Sequence, residues 1–152
     1  MAKKGKKQKP LLFIEVLIIA LIIFCIMAFI KILHRTPQQI TQTYTGVFPC
    51  ADCSGLDTTL TLTMSNHEAR QGTYTLEEVY KGKDLKPFIT SGTWHLSKGS
   101  IDNPNAIILA LQTAKTKEMS YFQILNPETL EMLDQEKKEI SSPFNLELFL
   151  RK

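Results

Sequence analysis

The hydrophobic positions of this chain follow two patterns in succession. Residues 11–30 are apolar throughout except for Glu15, and the run from 16 to 30 is unbroken. Twenty helical residues at ~1.5 Å each reach about 30 Å, the thickness of a bilayer's hydrocarbon core. The pattern predicts a transmembrane helix over 11–33, with Leu11 and Ile30 marking the membrane anchor. A cleavable leader would need a shorter apolar stretch and a small-x-small site, which the residues before Lys31 do not supply. Cys25 lies within the apolar run rather than at a lipoprotein position, and reads as a small apolar residue. Glu15 lies about one turn inside the span, close enough to reach the headgroups.

From residue 44 the period changes to two. Leu60, Leu62 and Met64 alternate with Thr59, Thr61 and Thr63, which predicts a half-buried strand rich in β-branched residues. Tyr74 and Leu76 repeat the alternation, as do Trp94 and Leu96, then Ile107, Leu109 and Leu111, then Leu130 and Met132. Phe144, Leu146, Leu148 and Leu150 form the last apolar face. With 44–48 and 120–125 added, about eight short strands result. Turn residues separate them at Gly55, Gly72, Gly82, Gly99, Asn103-Pro104, Asn126-Pro127 and Pro143. No segment after residue 44 has a helical period, so the predicted fold is an all-β antiparallel barrel preceded by the helix; closure would remove exposed strand edges. Tyr74, Trp94 and Phe144 are expected to fill its interior.

Charge divides the chain at the same place. Residues 1–35 hold seven basic residues and one acid, a net of +6; residues 36–152 hold 11 basic and 14 acidic residues, a net of −3. Five lysines among the first nine residues would hold that tail in the cytoplasm. The predicted localisation is therefore the inner membrane, single pass, with the C-terminal domain in the periplasm. The expected organisation is a basic tail at 1–10, the helix at 11–33, a polar linker at 34–43 and the barrel at 44–152. A mildly acidic folded part excludes nucleic-acid binding.

The informative chemistry is Pro49-Cys50-Ala51-Asp52-Cys53 before the second strand. Two cysteines three apart can close a disulfide, cycle between thiol and disulfide, or bind a soft metal as thiolates. As a staple the bridge is weak, since a four-residue loop contributes about 2 kcal/mol. As a metal site the pair supplies two ligands; His67, His95, Met64 and Met119 lie on other segments without diagnostic spacing. Two soft thiolates suit Cu(I) better than Zn(II), so copper is the cofactor to consider. A thioredoxin-type CxxC enters a helix, whereas a strand follows here. Glu77 and Glu78 are adjacent and face opposite sides of a strand, so they form no catalytic dyad. Lys137-Lys138, Glu128 and Glu131 read as solvated turn charges. The sequence carries no phosphate cradle, nucleophile elbow or HExxH, and no enzyme is expected.

The stretch Tyr44-Thr45-Gly46-Val47-Phe48-Pro49-Cys50-Ala51-Asp52-Cys53-Ser54-Gly55-Leu56-Asp57-Thr58-Thr59-Leu60 resembles the opening of the N-terminal domain of the NlpE family, envelope lipoproteins associated with copper resistance and surface sensing. Gly92-Thr93-Trp94, Leu130-Glu131-Met132-Leu133-Asp134 and Phe144-Asn145-Leu146-Glu147-Leu148 continue the resemblance. It implies a lipocalin-like barrel, a redox- or copper-handling role for Cys50 and Cys53, and signalling to the sensor kinase of the Cpx envelope-stress system. Two departures from the family are expected: a transmembrane anchor in place of the acylated cysteine, and no second domain after the barrel. The alternatives are a carrier of a small apolar ligand and a purely structural envelope protein in which the disulfide is a staple.

Overall fold

The structure is a computed structural model describing residues 10–33, 39–83 and 86–152. It comprises a helix, α1 (Pro10–Leu33), and eight strands: β1 (Ile40–Phe48), β2 (Leu56–Met64), β3 (Gln71–Tyr80), β4 (Phe88–Lys98), β5 (Ile107–Thr113), β6 (Met119–Asn126), β7 (Thr129–Leu133) and β8 (Glu147–Leu150). The chain divides into two compact units, 1–37 and 38–152.

The first unit corrects the expected membrane anchor. Among the described residues no helix is long and apolar enough to cross a membrane. This overturns the transmembrane helix expected over 11–33 and the single-pass inner-membrane localisation that depended on it. The side chains of Leu11 and Ile30 lie outside the described residues, as do the basic tail at 1–9 and residues 34–38 of the linker. Cys25 is a free, exposed cysteine on α1.

The second unit is a closed barrel in which each strand pairs antiparallel with the next and β8 returns to β1. Alternation is the cause: threonines at the odd positions of β2 share a face turned away from Leu60, Leu62 and Met64, which are buried in the interior. Tyr74, Trp94, Leu109, Leu111, Phe122, Leu130 and Leu148 complete that core. Its aromatic polar groups are satisfied locally. Trp94 donates its indole N–H to the Thr63 carbonyl at 3.3 Å, and Tyr44 donates its hydroxyl hydrogen to the Pro127 carbonyl at 3.1 Å. Gly72, opposite Trp94 in the β3–β4 register, leaves the space that the indole occupies.

Three local features differ from the simple alternating pattern. β1 begins at Ile40, inside the polar segment expected to be linker, because Ile40, Thr41, Gln42 and Thr43 pair in register with Met64, Thr63, Leu62 and Thr61. β5 is buried on both faces: beyond the interior residues, Ile108 packs with Ala106 and Leu133 in a second cluster outside the barrel wall. β8 is shorter than its alternation suggested. Phe144 precedes it and is 64% exposed rather than inside the barrel. Ser142 and Asn145 make the difference, since their side chains accept the backbone N–H groups of Phe144 and Glu147 and hold 142–146 as a turn.

Candidate functional site

Because adjacent strands run in opposite directions, the β1–β2, β3–β4, β5–β6 and β7–β8 connections all gather at one end of the barrel. The Cys50-Ala51-Asp52-Cys53 segment forms the β1–β2 connection there. It is anchored on its upstream side by Phe48, which is buried and stacks on Phe122 with ring centroids 6.5 Å apart. Downstream it ends at Gly55, whose φ of 147° is rarely adopted by L side chains. A Cβ at Gly55 would also meet Val47 Cγ1 at 2.7 Å.

Cys50 and Cys53 are joined as a disulfide with a Cα–Cα distance of 5.3 Å. Both are half-buried, and the intervening Ala51 and Asp52 are exposed. Cys53 Sγ lies 3.1 Å from the Gly55 carbonyl oxygen, and Cys50 Sγ lies 3.6 Å from Asp52 Oδ1. A disulfide sulfur carries no proton, so these are contacts in the oxidised form; the corresponding thiols could donate once the bridge is reduced.

The segment is fastened to the neighbouring β3–β4 connection. Lys81 donates its backbone N–H to the Gly55 carbonyl at 2.9 Å, and Ser54 donates its hydroxyl hydrogen to the Lys81 carbonyl at 3.3 Å. Lys81 Nζ lies 3.2 Å from Asp57 Oδ1. Lys83 pairs with Asp52 by a charge-assisted hydrogen bond. That hydrogen bond, together with the Lys83 charge, holds the Asp52 carboxyl below the usual carboxylate range. The composition signalled none of these lysine contacts, because the lysines lie 24 to 31 residues from their partners and only the barrel register joins them.

Cys50, Asp52 and Cys53 form a group of three potential ligands with their donor atoms within 4.8 Å of one another. Two sulfurs and one carboxylate are an unequal set. The sulfurs suit a soft ion only after reduction, whereas the carboxylate is hard and already committed to Lys83. Of the other candidates, His67 and His95 are exposed, with His95 on the face opposite Trp94, while Met64 is buried in the barrel core. None of these belongs to the three-residue group. Glu77 is exposed and Glu78 is half-buried, as expected of neighbours on a strand. Glu131 lies within β7 rather than a turn, and Lys137 Nζ sits 5.1 Å from the centroid of the Tyr121 ring.

Two recesses open at this end. A cleft of about 420 Å³ runs beside the disulfide, where Val47, Pro49 and Ala51 face Phe144. A deeper cavity of about 470 Å³ enters the barrel between β3, β4 and the β5–β6 hairpin. Phe48 lines both.

Residues 44–143 match the NlpE N-terminal domain. The chain belongs to the NlpE family. It is 34% identical to Lipoprotein NlpE of Escherichia coli (strain K12) over 113 residues, which cover 73% of this chain and 41% of that protein. The chain thus matches about two fifths of the length of that curated NlpE relative. The crystal structure of the Cpx pathway activator NlpE from Escherichia coli aligns at 35% identity with a TM-score of 0.49, covering 68% of this chain and 47% of that one. Within the matched NlpE segment lie residues 44–48 of β1, all of β2 to β7 and the whole Cys50–Cys53 connection.

Proposed function

We propose that the chain is a non-enzymatic sensing module in which Cys50 and Cys53 respond to copper or to redox state, with the segment 44–152 as the working domain. The observation that carries this reading is the disulfide on an exposed connection, bracketed by Asp52 and its partner Lys83. A four-residue bridge contributes only about 2 kcal/mol as a staple, so stability alone is a weak reason for placing it there. Reduction consumes two electrons and two protons and leaves thiols at Cys50 and Cys53. The Asp52 carboxylate, paired with Lys83, lies 3.6 Å from the Cys50 sulfur. The reduced pair fits a soft monovalent ion, and Cu(I), when bound, would supply a soft cation to the two sulfurs. The proposed listener is the sensor kinase of an envelope-stress pathway, supported by the description of the Escherichia coli relative as a Cpx pathway activator.

Competitive titration of the full chain with Cu(I) under reducing conditions tests the metal version. Wild type should bind with a defined affinity that Cys50→Ser/Cys53→Ser loses, and equal affinities would eliminate it. The redox version requires a potential accessible to cellular thiols, and a value below about −300 mV, the range of structural bridges, would reject it.

A further inference from the structure

The cavity that enters the barrel is lined by a mixture of groups that the disulfide site does not use. Its inner wall is apolar, formed by Tyr74, Leu111 and Phe122, all buried. Its mouth carries Phe88, 61% exposed although it shares the inward parity of Trp94 on β4. A volume of about 470 Å³ falls within the range of small-molecule sites, roughly 300–1,000 Å³. An exposed aromatic at the mouth of an apolar recess offers a surface on which an apolar body can continue outward.

One half-buried carboxyl group faces this recess beside Phe88, its partner in the β3–β4 register. Glu78 follows Tyr74 and Leu76 on the inward face of β3 and is half-buried. Among the described residues it has no ion pair, and burial alone pushes its carboxyl above the ordinary range. The other charges at the mouth are Lys115 and Glu118 on the β5–β6 hairpin. Glu118 already accepts a hydrogen bond from the Thr116 hydroxyl at 2.8 Å. Acids therefore outnumber bases in this lining, and Glu78, the more buried of the two, makes no ion pair among the described residues. A desolvated carboxyl in that position is costly until a positive group reaches it.

We propose that the open end of the barrel binds a small amphiphile with a protonated amine head, the head at Glu78 and the apolar body between Phe88 and the Tyr74–Leu111–Phe122 wall. Charge selects the head and the recess selects the body. A fatty acid would place a second carboxylate against Glu78, which disfavours it.

Isothermal titration of the full chain with dodecylammonium below its micellar concentration, alongside dodecanoate and dodecanol, tests this. The amine should bind saturably at one site, at least tenfold more tightly than dodecanoate. Glu78→Gln should weaken the amine tenfold or more, the loss expected for a charge-assisted contact, while leaving dodecanol nearly unchanged. Phe88→Ala changes only an exposed side chain, leaves the fold intact, and should weaken both the amine and the alcohol. Equal binding of amine and carboxylate, or amine binding that neither variant changes, would overturn the proposal. Absence of saturable binding to wild type would overturn it as well.

Discussion

Lys83 and Asp52, thirty-one positions apart in sequence, meet as an ion pair where the β3–β4 connection lies against the Cys50–Cys53 turn. The pair sets the electrostatics of the sulfur site without belonging to the sulfur motif. Lys83→Ala should raise the Asp52 pKa toward its ordinary value of 3.8, because both the hydrogen bond and the charge that lower it come from Lys83. In wild type this group's contribution to stability is present above the ordinary carboxylate pKa and is lost as pH falls through the lower folded value. Side-chain NMR titration of Asp52 in wild type and variant reads this directly; identical curves would refute it.

Removal of the bridge should cost little. Cys50→Ser/Cys53→Ser is expected to lose about 2 kcal/mol of unfolding free energy, as for closure of a four-residue loop. Urea unfolding followed by Trp94 fluorescence measures it. The environment of Trp94, in the middle of the barrel core, should be the same in both proteins before unfolding.

Two acids face each other across the β7–β8 seam, where Glu131 is in register with Glu147. Burial, then Glu139 and Glu147, push the Glu131 carboxyl up. A raised carboxyl pKa means stability that is full in acid and declines as pH rises from the unfolded value through the folded one. Glu147→Lys should therefore stabilise the barrel at neutral pH by about 0.2–1 kcal/mol and flatten that decline, as thermal unfolding across pH 4 to 8 would record.

Gly72→Ala should be far more damaging than its size suggests. The added methyl would overlap the Thr63 carbonyl and approach the Trp94 indole nitrogen to 2.7 Å, and the backbone of a paired strand cannot yield cheaply. A loss of about 1–3 kcal/mol is expected, together with a changed near-UV signal from Trp94.

The barrel itself was legible in the sequence because period-two alternation is a direct imprint of a wall with one wet face. Leu60–Met64 and Tyr74–Leu76 read correctly for that reason. The alternation misled at Phe144, where Ser142 and Asn145 capture the backbone and end the strand pattern before β8. It was incomplete at Ile108, whose burial comes from Ala106 and Leu133 outside the wall, a packing that no local period records. The apolar run at 11–30 predicts a membrane span by its length, whereas among the described residues no helix is long and apolar enough to cross a membrane. Of the site, the cysteines were visible as a motif. Lys83, Lys81 and Glu78 were not, because their roles depend on which strands become neighbours.

The two seams that hold β8 are brief: it pairs with β1 only at Tyr44↔Leu150 and Thr45↔Phe149, and with β7 at three positions. Tyr44 and Leu150 stand 106 positions apart, the most distant pairing in the barrel. A ribosome delivering this chain therefore releases seven strands as an open meander before the eighth can close it, and the entropy of that closure is paid last. Until then β1 and β7 are bare edges, and the nascent protein is most vulnerable to pairing with a stranger in the moments before Leu148 finds its place.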